Sequence, residues 1–197
     1  MKIQILIGST RQGRISERVA NWVAASAMEQ PNFEVELVDL ADYDMPYFDE
    51  AISPQFNPKR QPSEVVKKFL AKVAEADGYV IVTPEYNYSI TAVLKNALDN
   101  LAFELAKKPV AIVSYGSVGG ARAAEQLKGI LFAVKASVVP MAIALVGPHS
   151  VIDEDGNFIG DTASPYGPDK LLVRMLGELA WYTDTLKAGR KELTGVK

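Results

Sequence analysis

Residues 3–18 read IQILIGSTRQGRISER, and how that stretch divides decides the fold. Ile3 to Ile7 form an apolar run broken only by Gln4, the pattern of a short strand covered on both faces. Gly8 ends it. A polar loop with Ser9, Thr10, Arg11, Gly13, Arg14 and Ser16 follows, and an amphipathic run then begins. A buried strand, a turn rich in hydroxyls and arginine, and a helix start make an anion site. The first N–H groups of a helix are unpaired, and its dipole favours negative charge there. The loop is therefore read as a phosphate holder.

Outward from this stretch the same alternation recurs. Short Val/Ile/Leu runs at 2–7, 33–39, 79–83, 110–114 and 138–145 are expected strands. Helical spacing marks residues 16–30, 63–76, 91–104, 121–135 and 168–188. Strands alternating with helices predict an α/β three-layer sandwich around a five-stranded parallel sheet, with one domain over 1–197. Two strand orders remain open at this point, the flavodoxin-like 2-1-3-4-5 and half of a dinucleotide-binding Rossmann sheet. Both place a ligand at the carboxyl ends of the strands. Residues 41–62, with Pro46, Pro54, Pro58 and Pro62, form a long connection of the kind that becomes a lid or binding loop. Residues 148–166 carry an Asp155-Gly156 turn and are expected to make a small hairpin excursion.

Composition narrows the function. A net charge of −3 over 197 residues argues against a general nucleic-acid binder. The absence of cysteine excludes disulfides, thiolate catalysis and Cys-ligated metal or iron–sulfur centres. The opening apolar run is too brief for a signal sequence or a membrane span, so a cytoplasmic protein is expected.

Three loops carry the chemistry. The first, Gly8-Ser-Thr-Arg-Gln-Gly13-Arg14, has the glycine spacing of a triphosphatase P-loop, but Arg14 stands for the lysine and Ile15 for the magnesium-binding hydroxyl. No G-x-G-x-x-G dinucleotide fingerprint occurs either. A monophosphate held by Ser9, Ser16, loop N–H groups and Arg11 or Arg14 remains. The second loop is Thr83-Pro-Glu-Tyr-Asn-Tyr-Ser89, where Pro84 helps stop a strand. Tyr86 and Asn87 are expected to offer backbone groups beside an aromatic surface, and Ser89 or Thr91 to cap the next helix. The third, Ser114-Tyr-Gly-Ser-Val-Gly-Gly-Ala-Arg122, lets backbone approach a ligand closely. One flat ligand lying across the sheet edge would touch all three.

In combination, GSTRQGR, TPEYNYS…LKNALD and SYGSVGGARAAEQL resemble the NADPH-dependent FMN reductase family, flavodoxin-like flavoproteins that include quinone, chromate and azo-dye reductases. The resemblance implies that Ser9, Arg11, Arg14 and Ser16 line the FMN phosphate loop. It places Pro84, Glu85, Tyr86 and Asn87 along the isoalloxazine ring, and Ser114, Tyr115 and Gly116 at its other edge. It further implies NADPH or NADH as co-substrate, ping-pong hydride transfer through FMN, and a small-molecule acceptor such as a quinone, an azo dye or a metal oxyanion. A homodimer or homotetramer is implied, with no essential side-chain acid or base and no metal. The sequence departs from the family at Thr91, where proline is frequent, and at Arg14-Ile15-Ser16-Glu17, where Ser-x-Asn is frequent.

Two other classes stand beside this one. A flavodoxin-type one-electron carrier would bind the same FMN but usually has a strongly acidic surface; a flavin-responsive interaction module would show no turnover. His149, the sole histidine, is expected at the surface, and the acidic residues 153–161 are expected to form a solvated turn. Trp181 and Tyr182 are expected in the core or at a subunit contact.

Overall fold

A computed structural model describes residues 1–195. Five parallel strands, β1 (Lys2–Ile7), β2 (Glu34–Asp39), β3 (Gly78–Pro84), β4 (Pro109–Gly116) and β5 (Ser137–Val146), form one sheet in the order β2-β1-β3-β4-β5. This is the flavodoxin-like order. In the alternative Rossmann half-sheet the chain would step outward past β2; here it returns to the far side of β1 to lay down β3.

The helices make the outer layers. Helices α1 (Ser16–Met28) and α5 (Pro168–Gly195) pack on one face, where Val19, Trp22, Val23, Leu172, Met175 and Leu176 meet Ile3, Ile5, Val80 and Val113. Helices α2 (Glu64–Ala74), α3 (Ala92–Asp99) and α4 (Ala121–Ala133) cover the other, with Phe69, Val73, Leu94, Leu98 and Leu127 against Leu6, Tyr79, Ile81 and Ile112. The central strands β1, β3 and β4 are apolar on both faces because both are covered. Gln4 is one of the polar exceptions, with Thr83 and Ser114, and is fully buried. Its amide nitrogen donates to Glu36 (2.9 Å) and to the Lys72 carbonyl (2.8 Å), which ties β1 to β2 and α2. Lys2, Lys72 and Glu75 complete a charge network around Glu36. Burial pushes the Glu36 carboxyl up, but hydrogen bonds from Gln4, Lys72 and Lys2 outweigh it and hold it at about 2.

Several elements differ from the sequence expectation. Helix α3 ends at Asp99 rather than near 104. Arg60 reaches in from the long connection, donates to the Asn100 carbonyl (2.7 Å) and forks onto Glu50, while the Glu104 carboxylate accepts from Ala102 N–H. Those contacts take up the backbone groups that further helix would have used. The connection at 41–62 holds two short 3-10 turns and is fastened at several points. Asn96 receives Phe48 N–H and donates to the Pro46 carbonyl, and Tyr43 packs edge-on to Phe69 at 5.4 Å. Strand β5 carries extra residues: Val110 and Ile112 on β4 pair with Val138 and Ala142, so the strand bulges at Pro140. Helix α5 continues beyond 188 to Gly195. On it Trp181 is 63% exposed, outside the core, whereas Tyr182 packs against the α1–α5 core.

The excursion after β5 begins with a 3-10 turn at Pro148–Ser150 and reduces to one antiparallel bridge, Ile152 with Phe158. It docks on α1 through a Phe158–Trp22 stack at 5.9 Å. Asp153 closes the acidic turn itself, accepting from Asp155 N–H, Asn157 N–H and the Asn157 amide. Among the described residues no helix is long and apolar enough to cross a membrane.

Candidate active site

The strand order places the site. Between β1 and β3 the crossovers change face: β1 runs on into α1 on one side, and β3 runs on into α3 on the other. The two loops therefore part at the carboxyl edge of the sheet and leave a crevice there. A cleft of about 420 Å³ fills it, lined by Arg11–Ile15, Pro84–Tyr86, Tyr115–Ser117 and Gly147–His149. Its size lies in the range of small-molecule sites, roughly 300–1,000 Å³. A second cleft of about 590 Å³ lies on the far side of Arg11 and Tyr86, bounded by Ser9, Thr10, Asp44–Tyr47 and Thr91–Val93.

The first loop is held from below. Gly8 N–H donates to the Val82 carbonyl (2.8 Å), and Thr91 donates its hydroxyl to the Gly8 carbonyl (2.6 Å). The same Thr91 oxygen accepts from Leu94 N–H, so the cap of α3 and the anchor of the loop are one residue. Ser89, the other expected cap, instead donates to Gln126 (2.6 Å).

The two arginines are treated differently. Arg14 donates to Asp39 through both terminal nitrogens (2.8 Å and 2.5 Å), to the Ser9 carbonyl and to Glu17, and its side chain is 12% exposed. Hydrogen bonding to Asp39 holds its pKa above the ordinary arginine value despite burial. Arg14 thus braces the loop against the end of β2. Arg11 has no carboxylate partner among the described residues; it lines both clefts, with its guanidinium 5.8 Å from the centre of the Tyr86 ring.

The serines expected at the ligand already have protein partners. Ser9 shares a hydrogen bond with the Tyr86 hydroxyl (2.9 Å) and Ser16 with the Tyr115 hydroxyl (2.7 Å), across 77 and 99 residues of sequence. Both serines are fully buried. Burial pushes Tyr115 up to about 12, outweighing its hydrogen bond with Ser16, so the phenol keeps its proton at any working pH. Ser114 is buried too and donates to the Gly119 carbonyl (2.8 Å), closing its own turn.

The second loop is a two-residue hairpin. Tyr86 N–H donates to the Ser89 carbonyl and Ser89 N–H to the Tyr86 carbonyl, with Asn87 and Tyr88 at φ 50° and 67°. Both central residues are left-handed, as a type I′ turn requires. Tyrosine is a costly choice there, and Tyr88 is steadied by the Arg122 guanidinium 3.8 Å from its ring centre and by Gln126 on its carbonyl. The expectation that Tyr86 N–H faces a ligand is therefore corrected, since the turn uses it. Asn87 is exposed and lies outside the cleft lining. Glu85 N–H likewise goes to the Tyr115 carbonyl. Burial pushes the Glu85 carboxyl up, but the Arg122 ion pair more than offsets it and keeps the group ionised.

The third loop turns tightly before α4. Gly120 sits at φ 72°, and a Cβ there would stand 2.7 Å from Tyr115 N and 2.9 Å from the Ser114 Cβ. No side chain fits.

Of the sequence candidates, Arg11, Arg14, Pro84, Glu85, Tyr86, Tyr115 and Gly116 line one cleft, while Ser16 and Ser114 lie behind it and Ser9 faces the second cleft. Sequence reasoning missed Gly147, Pro148 and His149, which the end of β5 brings to the rim. His149 is exposed, as expected, but its place beside the cleft had no local signal.

The sequence profile of the NADPH-dependent FMN reductases matches residues 1–149, which contain all three loops. An NAD(P)H-dependent FMN reductase of Schizosaccharomyces pombe is 40% identical over 151 residues, covering 77% of this chain and 76% of that one. An NADPH azoreductase of Bacillus sp. (strain OY1-2) is 33% identical over 196 residues and covers 98% of each chain. Among solved structures, the flavoenzyme NAD(P)H:(acceptor) oxidoreductase of Paracoccus denitrificans superposes with a TM-score of 0.69 at 20% identity, over 95% of this chain and 97% of that one. The last of these speaks to the fold, and the first two carry the lineage. With the cleft at the β1–β3 crossover and the three loops that build it, they establish that this chain belongs to the NADPH-dependent FMN reductase family.

Proposed function

We propose that this chain is an NAD(P)H-dependent oxidoreductase that holds FMN in the cleft and passes electrons to small planar acceptors, quinones and azo dyes among them. One observation carries the reading: Arg11, with no carboxylate partner among the described residues, stands beside the start of α1, in the same cleft as the Tyr86 and Tyr115 side chains. A phosphate suits the first end and a flat ring the second. The residues present fit the group. Helix α1 opens with no side-chain cap, so its first N–H groups remain for an anion.

In this reading Arg11 and the 11–16 loop hold the phosphate, with Ser9 and Ser16 supporting the loop from behind. Pro84–Tyr86 and Tyr115–Gly116 bound the ring, and Asn87 and Ser114 shape the turns that present them. Bound there, FMN would supply the redox chemistry, accepting a hydride equivalent from NAD(P)H and yielding electrons to the acceptor. Two groups of the cleft wall keep a fixed charge: Tyr115 stays protonated and Glu85 stays ionised. Arg14 and Asp39 keep the loop in shape.

A homodimer or homotetramer fits the same reading. Exposed Phe132 on α4, Phe103 against Lys135 just after α4, and Phe56, next to the Gln55 that donates to the Ala133 carbonyl, lie near the end of α4 and would give a second copy an apolar surface. A cytoplasmic setting fits the NAD(P)H supply and the cysteine-free composition.

The test is an absorbance spectrum of the FMN-loaded protein under anaerobic NADPH titration, followed by addition of a quinone or an azo dye. NADPH is expected to bleach the flavin band and the acceptor to restore it. A protein that does not bind FMN, or whose bound flavin ignores both NADPH and NADH, refutes the proposal.

A further inference from the structure

Helix α5 carries a line of side chains that its own fold does not use. Lys170, Arg174, Gly177, Trp181, Asp184 and Ala188 follow one another at alternating steps of four and three, the spacing that keeps one seam turned toward a partner helix. All six are exposed. Four of them have no evident purpose in a single chain. Trp181 is 63% exposed, and its ring contact among the described residues is Tyr182, edge-on at 5.0 Å. Gly177 lies mid-helix, where glycine is less stable than alanine, yet a Cβ there would touch nothing. Arg174 and Asp184 have no ion-pair partner among the described residues.

Reversed, the seam is its own complement. An antiparallel pair about a two-fold axis at residue 179 sets Arg174 against the partner's Asp184, Gly177 against the partner's Trp181 and Lys170 against the partner's Ala188. The axis repeats each contact, as an isologous interface requires. We infer that α5 is a docking surface for a second copy of this chain, joined antiparallel through this seam with each Trp181 ring seated over the partner's Gly177. The missing Cβ lets the indole reach the helix backbone, and tryptophan and arginine are the residues that most often anchor an interface. The two ion pairs fix the register. A slip of one heptad either way parts them and sets Trp181 against a charged residue, Lys170 or Asp184. From 170 to 188 the seam runs about 27 Å, a small contact, so the association is reversible and depends on concentration. Helices α5 and α4 lie on opposite faces of the sheet, so this contact leaves the apolar surface near the end of α4 free. It does not depend on the FMN reading.

Sedimentation velocity of the full chain over a concentration series tests the contact by charge reversal. Arg174→Asp and Asp184→Arg each set like charges together at both pairs, and the dissociation constant of the association is expected to rise about tenfold in either variant. An equimolar mixture of the two variants places opposite charges at both pairs again and should associate as wild type does. Gly177→Leu should weaken association while Tm stays or rises, because leucine is the better helix former. That split separates a docking role from a folding one. The register has its own test, since the chain has no cysteine. Mixed Lys170→Cys and Ala188→Cys proteins should cross-link under diamide, and each variant alone should not. Wild type and the charge variants sedimenting alike at every concentration would overturn the inference. So would a mixture that fails to recover, or cysteine variants that each cross-link with themselves as fast as they do together.

Discussion

Arg14→Ala takes away five hydrogen bonds at once, to Asp39, Glu17 and the Ser9 carbonyl. Asp39 is then left with Ala41 N–H (2.9 Å) as its remaining partner. The two side chains of the pair are 12% and 19% exposed. Breaking a fully buried pair costs about 3–5 kcal/mol, and an exposed pair contributes about 0–1 kcal/mol. This pair lies nearer the buried limit but keeps some contact with water, so about 2–3 kcal/mol is expected. For a chain of this size that is a fall in Tm of roughly 5–10 °C. Thermal and urea unfolding of flavin-free protein measures it, because bound ligand would add its own stabilisation. Asp39→Ala and the double variant close the cycle, and a coupling of about 1–2 kcal/mol is expected, with the double variant more stable than additivity allows. Arg14→Ala within about 0.5 kcal/mol of wild type, or strict additivity, would refute the view that Arg14 braces the loop.

Arg11→Ala should do the opposite, leaving Tm in place while FMN binding weakens by about 1.5–3 kcal/mol and riboflavin binding does not change; unchanged FMN affinity would move the phosphate elsewhere. Gly120→Ala should cost about 2–4 kcal/mol in urea unfolding, since a positive φ and a Cβ pressed on the Tyr115 backbone act together; a neutral result would mean the turn can relax. The Glu36 carboxyl titrates at about 2 against 4.5 for an ordinary glutamate, so its contribution is complete above pH 4.5 and is lost as pH falls toward 2. Glu75 and Asp77 are lowered as well and act in the same direction. Tm should therefore decline on acidification below about pH 4.5, and less steeply in Glu36→Gln. Parallel profiles for the two proteins would sink that account.

The central strands were legible because both of their faces are dry, and a run such as 79–83 has no other stable home. Gln4, the one polar break in the first run, is understood only once Glu36 and the Lys72 carbonyl stand beside it. The cleft was legible as three loops because each follows a strand end. Which atoms face the ligand was not. Ser9 and Ser16 look like ligand hydroxyls in sequence, but their partners are tyrosines 77 and 99 residues away. Arg11 and Arg14 look equivalent until Asp39, at the end of a neighbouring strand, selects one of them. The end of α3 was misjudged because it depends on Arg60, which reaches it from a connection without periodicity.

Strand β5 and strand β2 have a consequence for how the protein behaves in company. An open sheet exposes two rims of unpaired N–H and C=O groups, each a template on which another chain can add. On one rim Pro140 has no N–H to offer, and the bulge around it breaks the straight ladder an incoming strand would need. On the other, Glu34, Glu36 and Asp39 place three carboxylates within six residues, but Lys2 and Lys72 neutralise Glu36 and Arg14 neutralises Asp39. Charge therefore guards the β2 rim only weakly, whereas covalent geometry guards the β5 rim whatever the pH or salt.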